Sequence, residues 1–503
     1  MMPFGTSGIL RRPALLLALS ASLLLSGCAS APQYENAAFT AADVRRMPQS
    51  LEVLAGSCAE AGLLDAAGLA GADTLLRSPS AARADMARFR EKFFEPWDAL
   101  SASPEAVLWL RRELEREPSR RGYAENMHPW SDRAWQKMVD NAALDALADP
   151  SFLRRRPLPA ITIRPTDLRA APTMRPRFSQ VHGAGRGWPF DLFQQSRLHA
   201  GAPLAVYHKS LDGAWLLVQS DSAWGWLRAE DAAAAGEAFR KLWRKRPLCA
   251  FVREGVGLKF KALGADAAKG PEIRQGSYLA TADIGTVLPT GRTGEVLLPM
   301  RGLDGAAYAV TASFSEYSAS PAFPHRGDPL SAPAVRMPLS LTADAAARIG
   351  DRMMGQPYGW GGLYGDRDCS ATMRDLFAPF GIWLPRNSGA QAQEGEAVSL
   401  EGLSAGDKEK ALRERARPFR TLIAMPGHIG LYVGQWQGRA AMFHNMWGVR
   451  NTLDDGRDGR LVVGRAAVTS LRPGAERGDV DEERLLIERV KAFTILGSGK
   501  IKP

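Results

Sequence analysis

The stretch YGWGGLYGDRDCSATMRDLF, residues 358–377, decides how the C-terminal part of the chain begins to fold. Its first half is rich in glycine and aromatic residues, which do not belong inside a helix. Its second half carries apolar residues at helical spacing, and Gly381 soon afterwards is a typical stop signal. The pattern therefore predicts a helix that begins within one residue of Cys369, with Asp368 as its N-cap.

Cys369 is predicted to be a reactive residue rather than a packing residue. Unpaired backbone N–H groups and the helix dipole at a helix N-terminus favour the thiolate, so we expect a lowered pKa. A structural cysteine would more naturally lie on the apolar face of the helix, which begins four residues later. The position therefore indicates a nucleophile.

Two histidines further along the chain are suited to act with this cysteine. His428 begins the apolar run HIGLYVG, and His444 lies at the end of the run AAMFHN. If these two strands pair as a hairpin through GQWQGR, the start of one lies beside the end of the other, so the histidines come into contact. A thiolate nucleophile needs an imidazole base whose second nitrogen is held by a third group. The pattern thus predicts Cys369, His428 and His444 as nucleophile, general base and orienting residue.

The sequence around these residues predicts one α+β domain over residues 339–500. A helix at LTADAAARIGDRMMG leads into the cysteine helix. The short apolar runs that follow are typical of strands, namely TLIAM, HIGLYVG, AAMFHN and RLVVGRAAVTSL. The run EERLLIERVKAFTIL closes the chain, and a proline-rich linker at residues 326–338 precedes the domain.

Upstream of the linker, short β-rich runs are broken by glycine, proline and aspartate, which is typical of small barrels. The run GAPLAVYHKSLDGAWLLVQSDSAWGWLRAED resembles a bacterial SH3-like domain, which we place at residues 155–236. Fainter β-patterns predict a second SH3-like barrel at residues 237–325. Residues 51–152 are helical in pattern and form a helical N-terminal unit in which nothing suggests chemistry.

The N-terminus indicates the compartment. Two arginines precede an apolar run that is shorter than a typical membrane-spanning helix and ends in LLSGC, so residues 1–27 are typical of a signal peptide. An anchoring helix is the alternative. LLSGC looks like a bacterial lipobox, in which Cys28 carries lipid and residues 28–50 form a tether. We expect a lipid-anchored envelope protein that faces the periplasm, and Ala29 favours the outer membrane if the cell is Gram-negative.

Composition narrows the class of partner. The net charge of +10 favours acidic partners, but no dense basic block with interleaved aromatics supports nucleic acid.

The cysteine count bears on disulfides. Removing Cys28 from the four cysteines leaves an odd number, so at least one thiol is unpaired, and a disulfide between Cys58 and Cys249 stays possible. No cysteine pair has zinc-ligand spacing, and we expect no structural metal.

Taken together, the segments PYGWGG, DCS, GIWLPRNS, GHIGLYVG and FHN resemble the NlpC/p60 family of papain-like cysteine peptidases. The resemblance covers residues from about 340 to 470. It implies a multi-domain enzyme without cofactors, with a papain-like α+β domain after helical and SH3-like parts. Its substrates would be peptidoglycan stem peptides, cut at the γ-D-glutamyl–diamino acid bond.

The resemblance also implies roles for residues around the three catalytic ones. Asp368 helps to hold the substrate's amino end, and Tyr358 lines the groove near the oxyanion side. Ser370 and the backbone N–H of Cys369 are expected to contact oxyanion and substrate. The segment LPRNS places Arg386 and Ser388 near the cleft, with Arg386 either on a substrate carboxylate or in a structural ion pair.

Where an SH3-like domain abuts the cleft in this family, it selects stems with a free N-terminal L-Ala, and an acidic SH3-like residue would pair with that amine. Asp191 in WPFDLFQQS is the residue we assign to it. Trp360 is expected to serve packing.

One segment departs from the family pattern. Where many members carry a compact GDLVFF-like strand, this chain has LSAGDKEKALRERARPFRTLIAM, which is longer and strongly charged. Groove specificity therefore does not transfer directly. Two alternatives stay open from the sequence: a catalytically inactive peptidoglycan-binding lipoprotein, and a cysteine amidase or acyltransferase on the same scaffold.

Overall fold

The structure is a computed structural model that describes residues 36–38, 46–61, 75–149, 151–263, 273–291, 294–314 and 327–497. These residues belong to one compact unit, Glu35–Pro503. The predicted signal peptide, residues 1–27, and Cys28 lie outside the described residues. Within the described ranges, no helix has the length and hydrophobicity needed to cross a membrane.

The N-terminal region consists mainly of helices, and serine side chains cap the first four of them. Its elements are β1 (Asn36–Ala38), α1 (Leu51–Glu60), α2 (Pro79–Asp98), α3 (Pro104–Leu114), α4 (Asp132–Ala142) and α5 (Leu144–Ala148). A turn of 3₁₀-helix separates α3 from α4, at Pro118–Arg120.

The predicted helical N-terminal unit is present, and its helices pack against three different parts of the molecule. Leu51, Leu54 and Cys58 of α1 belong to the same core as the C-terminal domain. The aromatic face of α2 packs into the core of the second β-region. Helices α3 to α5 share a core with the first β-region. The reason is physical: each amphipathic helix has an apolar face that must be buried, and the neighbouring β-regions and the C-terminal domain cover these faces.

Part of the predicted tether is also integrated into the C-terminal domain. Strand β1 pairs in parallel with the segment Arg460–Val462. Met47 is buried, and the amide of Gln49 donates to the Val468 carbonyl at 2.8 Å. The prediction of a free tether over residues 28–50 is therefore wrong for these residues.

The first β-region forms one seven-stranded antiparallel sheet in the order β4-β3-β7-β6-β5-β2-β8. Its strands are β2 (Leu158–Thr162), β3 (Thr166–Arg169), β4 (Gln194–Leu198), β5 (Pro203–Lys209), β6 (Trp215–Gln219), β7 (Trp224–Arg228) and β8 (Ala232–Ala234). The predicted turn at Asp212-Gly213 lies between β5 and β6, where Gly213 has a φ of +73°.

The second β-region follows helix α6 (Glu237–Lys245) and consists of a four-stranded and a three-stranded sheet. Its strands are β9 (Leu248–Phe251), β10 (Val256–Leu263), β11 (Tyr278–Ala282), β12 (Val287–Pro289), β13 (Val296–Arg301), β14 (Ala307–Phe314) and β15 (Ala334–Arg336). Strand β15 lies in the predicted linker 326–338, yet it pairs with β9. This part of the predicted linker therefore completes the second β-region.

The C-terminal domain places helices on a seven-stranded sheet in the order β1-β20-β19-β18-β17-β21-β16. Its helices are α7 (Ala343–Asp351), α8 (Cys369–Phe377), α9 (Ser388–Gln391), α10 (Ala405–Arg415) and α11 (Leu486–Arg489). Its strands are β16 (Glu396–Ser399), β17 (Thr421–Met425), β18 (His428–Trp436), β19 (Arg439–Thr452), β20 (Asp458–Ser470) and β21 (Ala492–Ile495). All pairings except that of β1 are antiparallel. The predicted α+β arrangement is therefore present.

The charged segment that departs from the family pattern folds largely as α10. Leu412 is buried in a core with strands β17 to β19. The Lys408 ammonium donates to the carbonyls of Ile487 and Glu488 at 3.2 and 2.8 Å. The segment therefore covers one face of the sheet as a structural layer.

The cysteines other than Cys28 are all free. Cys58 and Cys249 lie in different cores and donate to the carbonyls of Val433 and Leu288. Burial raises the pKa of each of these two thiols to about 12. The open question of a Cys58–Cys249 disulfide is thus answered against the pairing, and both residues serve packing.

Candidate active site

Cys369 is the first residue of α8, as the sequence predicts. Asp368 caps the helix, and its carboxylate accepts the Ala371 backbone N–H at 2.9 Å. The loop before it cannot continue as a helix, because Gly361, Gly362 and Tyr364 all have positive φ. Cys369 is buried, with 7% of its surface exposed.

A buried ion pair surrounds the start of this helix. The Arg386 guanidinium contacts both carboxylate oxygens of Asp368, at 2.6 and 3.1 Å. It also donates to the hydroxyls of Ser370 at 2.8 Å and Ser196 at 3.0 Å. Of the two roles open for Arg386, the structure shows the ion pair. We call these four residues the charged cluster.

The charged cluster also changes what is expected of Asp368 and Ser370. Burial raises the pKa of Asp368, but Arg386 and the hydrogen bonds outweigh burial, so its pKa lies below the usual value. The carboxylate additionally accepts the Gly361 backbone N–H, and the Ser370 hydroxyl lies 3.1 Å from it. Both side chains are therefore already engaged, and Ser370 is not free to bind an oxyanion.

The two histidines meet across the predicted hairpin. Strands β18 and β19 pair with Leu431 opposite Phe443. His428 Nε2 and His444 Nδ1 are 2.7 Å apart. Gly430 makes this approach feasible, since a Cβ atom there would lie 2.7 Å from the Cβ of His444. The sequence prediction that the two rings touch is confirmed.

This contact leaves Nδ1 of His428 as the ring nitrogen available to the cysteine. The backbone of Ile429, the next residue after His428, acts to lower the pKa of the Cys369 thiol. Helix α8 therefore starts beside the beginning of β18. The imidazole of His444 has no exposed surface, whereas His428 is half-buried.

The protonation states differ from those predicted for a helix N-terminus. Burial and the Asp368 carboxylate raise the pKa of the Cys369 thiol to about 12, more than Ile429, Arg386 and Ser370 lower it. Burial, with Arg489 as a second cause, lowers the pKa of His428 to about 4. The prediction of a lowered thiol pKa is therefore wrong for the free protein: at neutral pH both groups are uncharged.

Tyr358 and Trp360 lie on the loop that leads to Cys369. Burial raises the pKa of the Tyr358 phenol well above its usual value, and Cys369 and Asp368 add to that effect. The phenol therefore lies in the electrostatic range of the thiol. The Trp360 indole donates to the Asp191 carbonyl at 3.1 Å and packs edge-on against Phe190, which is the expected packing role.

Asp191 does not fit the role that we assigned to it. The side chain is 2% exposed, and one oxygen pairs with Arg169 at 2.8 Å. The other oxygen accepts the backbone N–H groups of Arg177 and Phe193, both at 2.9 Å. The expectation that it meets a substrate amine is corrected: the carboxylate organises the loop between β3 and β4.

Ser388 begins α9 and is half-buried. The same helix carries Gln391, which donates to the carbonyls of Ser370 and Pro385 at 2.8 and 2.9 Å. Asn445 similarly donates to Arg367 O at 2.9 Å. Sequence analysis missed both residues, although Asn445 stands next to His444.

Thr469 of β20 is the most important residue that the sequence analysis missed. Its hydroxyl lies 3.0 Å from His444 Nε2. No motif marks this threonine, because its position depends only on the pairing of β19 with β20.

Among the described residues, no group of three or more His, Cys, Asp or Glu side chains is arranged to hold a metal ion.

Three family models match the chain. Residues 355–453 match the NlpC/P60 family, and residues 176–228 match an SH3 domain of the SH3b1 type. Residues 17–147 match the N-terminal NLPC_P60 stabilising domain. The expected architecture of a helical N-terminal part, an SH3 domain and a C-terminal NlpC/P60 domain is therefore confirmed.

Curated relatives match over part of their length. A γ-D-glutamyl-L-lysine dipeptidyl-peptidase from Bacillus subtilis is 36% identical over 94 residues, which are 18% of this chain and 30% of that protein. A probable endopeptidase from Mycobacterium tuberculosis is 35% identical over 82 residues, 16% of this chain and 18% of the relative. The chain thus matches less than a third of the length of these relatives.

One solved structure resembles the whole molecule. It is an NlpC/P60 endopeptidase from Photobacterium damselae subsp. piscicida, with a TM-score of 0.73 and 22% identity. The match covers 92% of this chain and 99% of that one. At this identity the likeness concerns the fold.

Proposed function

We propose that this chain, which belongs to the NlpC/P60 family through its domain at residues 355–453, is a cysteine endopeptidase of peptidoglycan stem peptides. The bond we assign to it is the γ-D-glutamyl–meso-diaminopimelate bond. The observation that carries the proposal is the 2.7 Å contact of His428 with His444, beside a cysteine that begins a helix. The name of the B. subtilis relative, a γ-D-glutamyl-L-lysine dipeptidyl-peptidase, supports the bond class.

The reaction starts from an uncharged thiol and an uncharged imidazole. As the Cys369 sulfur bonds to the scissile carbonyl carbon, its proton passes to the His428 ring. The imidazolium then gives this proton to the leaving amine while the C–N bond breaks, which leaves a thioester. A water molecule, deprotonated by His428, hydrolyses the thioester and restores the thiol. His444 holds the His428 ring in place throughout.

The oxyanion of the tetrahedral intermediate needs donors near the helix start. The backbone N–H of Cys369 occupies the first helical position and has no partner within the helix. The Tyr358 phenol is the second donor that we assign, since its high pKa keeps it protonated. Ser370 is omitted because Asp368 and Arg386 engage its hydroxyl.

We further propose that the preferred stems carry a free N-terminal L-Ala. The SH3 domain lies directly against the catalytic loop: Gln194 donates to Gly361 O at 3.2 Å, and Ser196 accepts from Arg386. A Cβ atom on Gly362 would lie 2.6 Å from the Arg197 side chain. This close packing is expected to close one end of the cleft against longer glycan-linked chains.

The test uses the peptide L-Ala-γ-D-Glu-meso-diaminopimelate, with products identified by mass spectrometry. The expected products are L-Ala-D-Glu and free diaminopimelate, formed by the wild type and not by Cys369→Ala. An N-acetylated peptide should remain uncut. If neither protein cuts the peptide, the peptidase is overturned and a binding protein is favoured. If Cys369→Ala releases as much diamino acid as the wild type, Cys369 is not the nucleophile and the proposed mechanism is overturned. Release of the whole stem peptide from a sugar-linked muropeptide favours the amidase, and transfer of the acyl group to an added amine favours the acyltransferase.

We also propose that the chain is anchored through lipid on Cys28 at the periplasmic side of the outer membrane. The support is the LLSGC motif after a short apolar run. Growth with radiolabelled palmitate should label the wild type and not Cys28→Ser, with the label in the outer-membrane fraction. Equal labelling of both proteins would refute the anchor.

A further inference from the structure

We propose that Thr469, a buried threonine of β20, is a positioning residue that sets the tautomers of the histidine pair. It holds His444 with its proton on Nε2, so that His428 presents an unprotonated Nδ1 to the cysteine. The inference rests on the proposed cysteine peptidase, because a cysteine nucleophile needs a base at this nitrogen.

The first step concerns the single proton of the Thr469 hydroxyl. Its oxygen lies 2.7 Å from the carbonyl oxygen of Ser470 and 3.0 Å from His444 Nε2. A carbonyl oxygen only accepts hydrogen bonds, so the hydroxyl must donate its proton to Ser470. Towards His444 the hydroxyl oxygen can therefore only accept. It follows that Nε2 of His444 carries the proton.

The second step passes this constraint to His428. Burial and the neighbouring imidazole keep the pKa of His444 well below its usual value, so the ring is neutral and has one N–H group. With the proton on Nε2, Nδ1 of His444 is an acceptor. His428 Nε2 lies 2.7 Å from it and must donate. Because the pKa of His428 is about 4, this ring is neutral as well, and its Nδ1 is free to accept a proton.

The opposite arrangement would disable the base. If the hydroxyl of Thr469 donated to His444 Nε2, the proton of His444 would lie on Nδ1 and the proton of His428 on Nδ1 as well. The thiol would then face an N–H group. The Ser470 carbonyl prevents this, because it takes the hydroxyl proton at a shorter distance than the imidazole. The Ser470 carbonyl thus determines the direction of the hydrogen bonds between Thr469 and His444 and between His444 and His428.

The sheet makes the arrangement rigid. In the pairing of β19 with β20, Met442 lies opposite Thr469 and His444 opposite Ala467. Thr469 and His444 are therefore diagonal neighbours on one face of the sheet, and neither has exposed surface. Because neither side chain reaches solvent, no water molecule takes the place of the Thr469 hydroxyl in the hydrogen bond with His444. The charged groups that face His428 are Arg489 and Asp368.

The test replaces Thr469 by valine, which keeps the shape and removes the hydroxyl, and by serine, which keeps the hydroxyl. Thr494→Val is the matched control, because Thr494 is equally buried in β21 and donates to Ala392 O without contacting a histidine. The full-length proteins are compared on the stem peptide. We expect Thr469→Val to lose about 10- to 100-fold in kcat with little change in KM, Thr469→Ser to recover most of it, and Thr494→Val to match the wild type.

A direct reading of the tautomers separates this role from a merely structural one. The chain has seven histidines, so ¹⁵N-histidine labelling gives few side-chain signals. In the wild type both His428 and His444 should show the proton on Nε2, and in Thr469→Val the His444 signals should move towards the other tautomer. A wild-type protein with the proton on His444 Nδ1 overturns the inference, as does a Thr469→Val protein with unchanged kcat.

Failure of the inference and failure of the proposed function give different results. If the wild type cuts no stem peptide, the peptidase fails, while the NMR signals still decide the tautomers. If it cuts the peptide with the proton on His444 Nδ1, only the role of Thr469 fails. An equal loss of kcat in Thr494→Val would also contradict the inference, because the loss would then follow from weakened packing of the sheet.

Discussion

Two buried polar clusters flank Cys369, and they differ in charge. The charged cluster of Asp368, Arg386, Ser370 and Ser196 holds one pair of full charges, Asp368 with Arg386. Arg386 also joins the cysteine helix to the SH3 domain by donating a hydrogen bond to the Ser196 hydroxyl. On the other side, His428, His444 and Thr469 form what we call the imidazole cluster, a row of neutral groups within the sheet. A buried ion pair keeps its geometry because separating the partners would leave an uncompensated charge away from water. A neutral imidazole, in contrast, can accept a proton and return it. We infer that the first cluster positions the nucleophile and the second handles its proton.

The largest expected effect comes from removing the base of the imidazole cluster. His428→Ala should lower kcat/KM on the stem peptide by roughly 10²- to 10⁴-fold, because the thiol then has no group to take its proton. The midpoint of thermal unfolding should change little, since His428 is only half-buried. His128→Ala, at an exposed position in the N-terminal region, serves as the control. Comparable activity of the two variants would remove His428 from the mechanism.

Removing one partner of the ion pair in the charged cluster should lower the folding stability of the protein. Arg386→Leu leaves the Asp368 carboxylate buried without its partner, which should cost about 3–5 kcal/mol of folding free energy. Thermal unfolding followed by circular dichroism measures this as a lower midpoint. Arg111→Leu is the control, because its ion pair with Glu115 lies at the surface and should contribute less than about 1 kcal/mol. Similar midpoints for the two variants would show that the buried pair is not needed to hold the helix.

Asp191 tests whether the SH3 domain contributes to stability or to recognition. Asp191→Asn should destabilise the protein by about 1–3 kcal/mol, because Arg169 loses its charged partner. The preference for free-amine over N-acetylated stem peptides should stay as in the wild type. A lost preference with unchanged stability would instead restore the amine-binding role that the sequence suggested.

The smallest effect concerns the pH profile. With a His428 pKa of about 4, kcat/KM should fall only as the pH drops towards 4, not near 6.5. Arg489 lowers this pKa, so Arg489→Gln removes a positive charge and should move the acid limb to higher pH, by less than about one unit given its exposure. Arg439→Gln, an exposed position on β19, should leave the limb in place. A downward shift in Arg489→Gln would contradict the assignment of this limb to His428.

Much of the candidate site could be predicted from local sequence signals. The start of the cysteine helix followed from a cap, a glycine-rich loop and apolar spacing. The contact of His428 with His444 followed from two strands that could pair through one short turn. These signals are local because caps, turns and periodicity depend on residues close in the chain.

The sequence alone determined the order of the domains, the helix that begins at Cys369 and the hairpin that brings the histidines together. Only the tertiary structure decided which partner each buried charge takes, as for Asp191 with Arg169 and Arg386 with Asp368. It also decided that α1 and β1 pack on the C-terminal domain, that Thr469 contacts His444, and that burial raises the pKa of the Cys369 thiol. The physical reason is that desolvation and charge pairing depend on groups far apart in sequence, which no local pattern specifies.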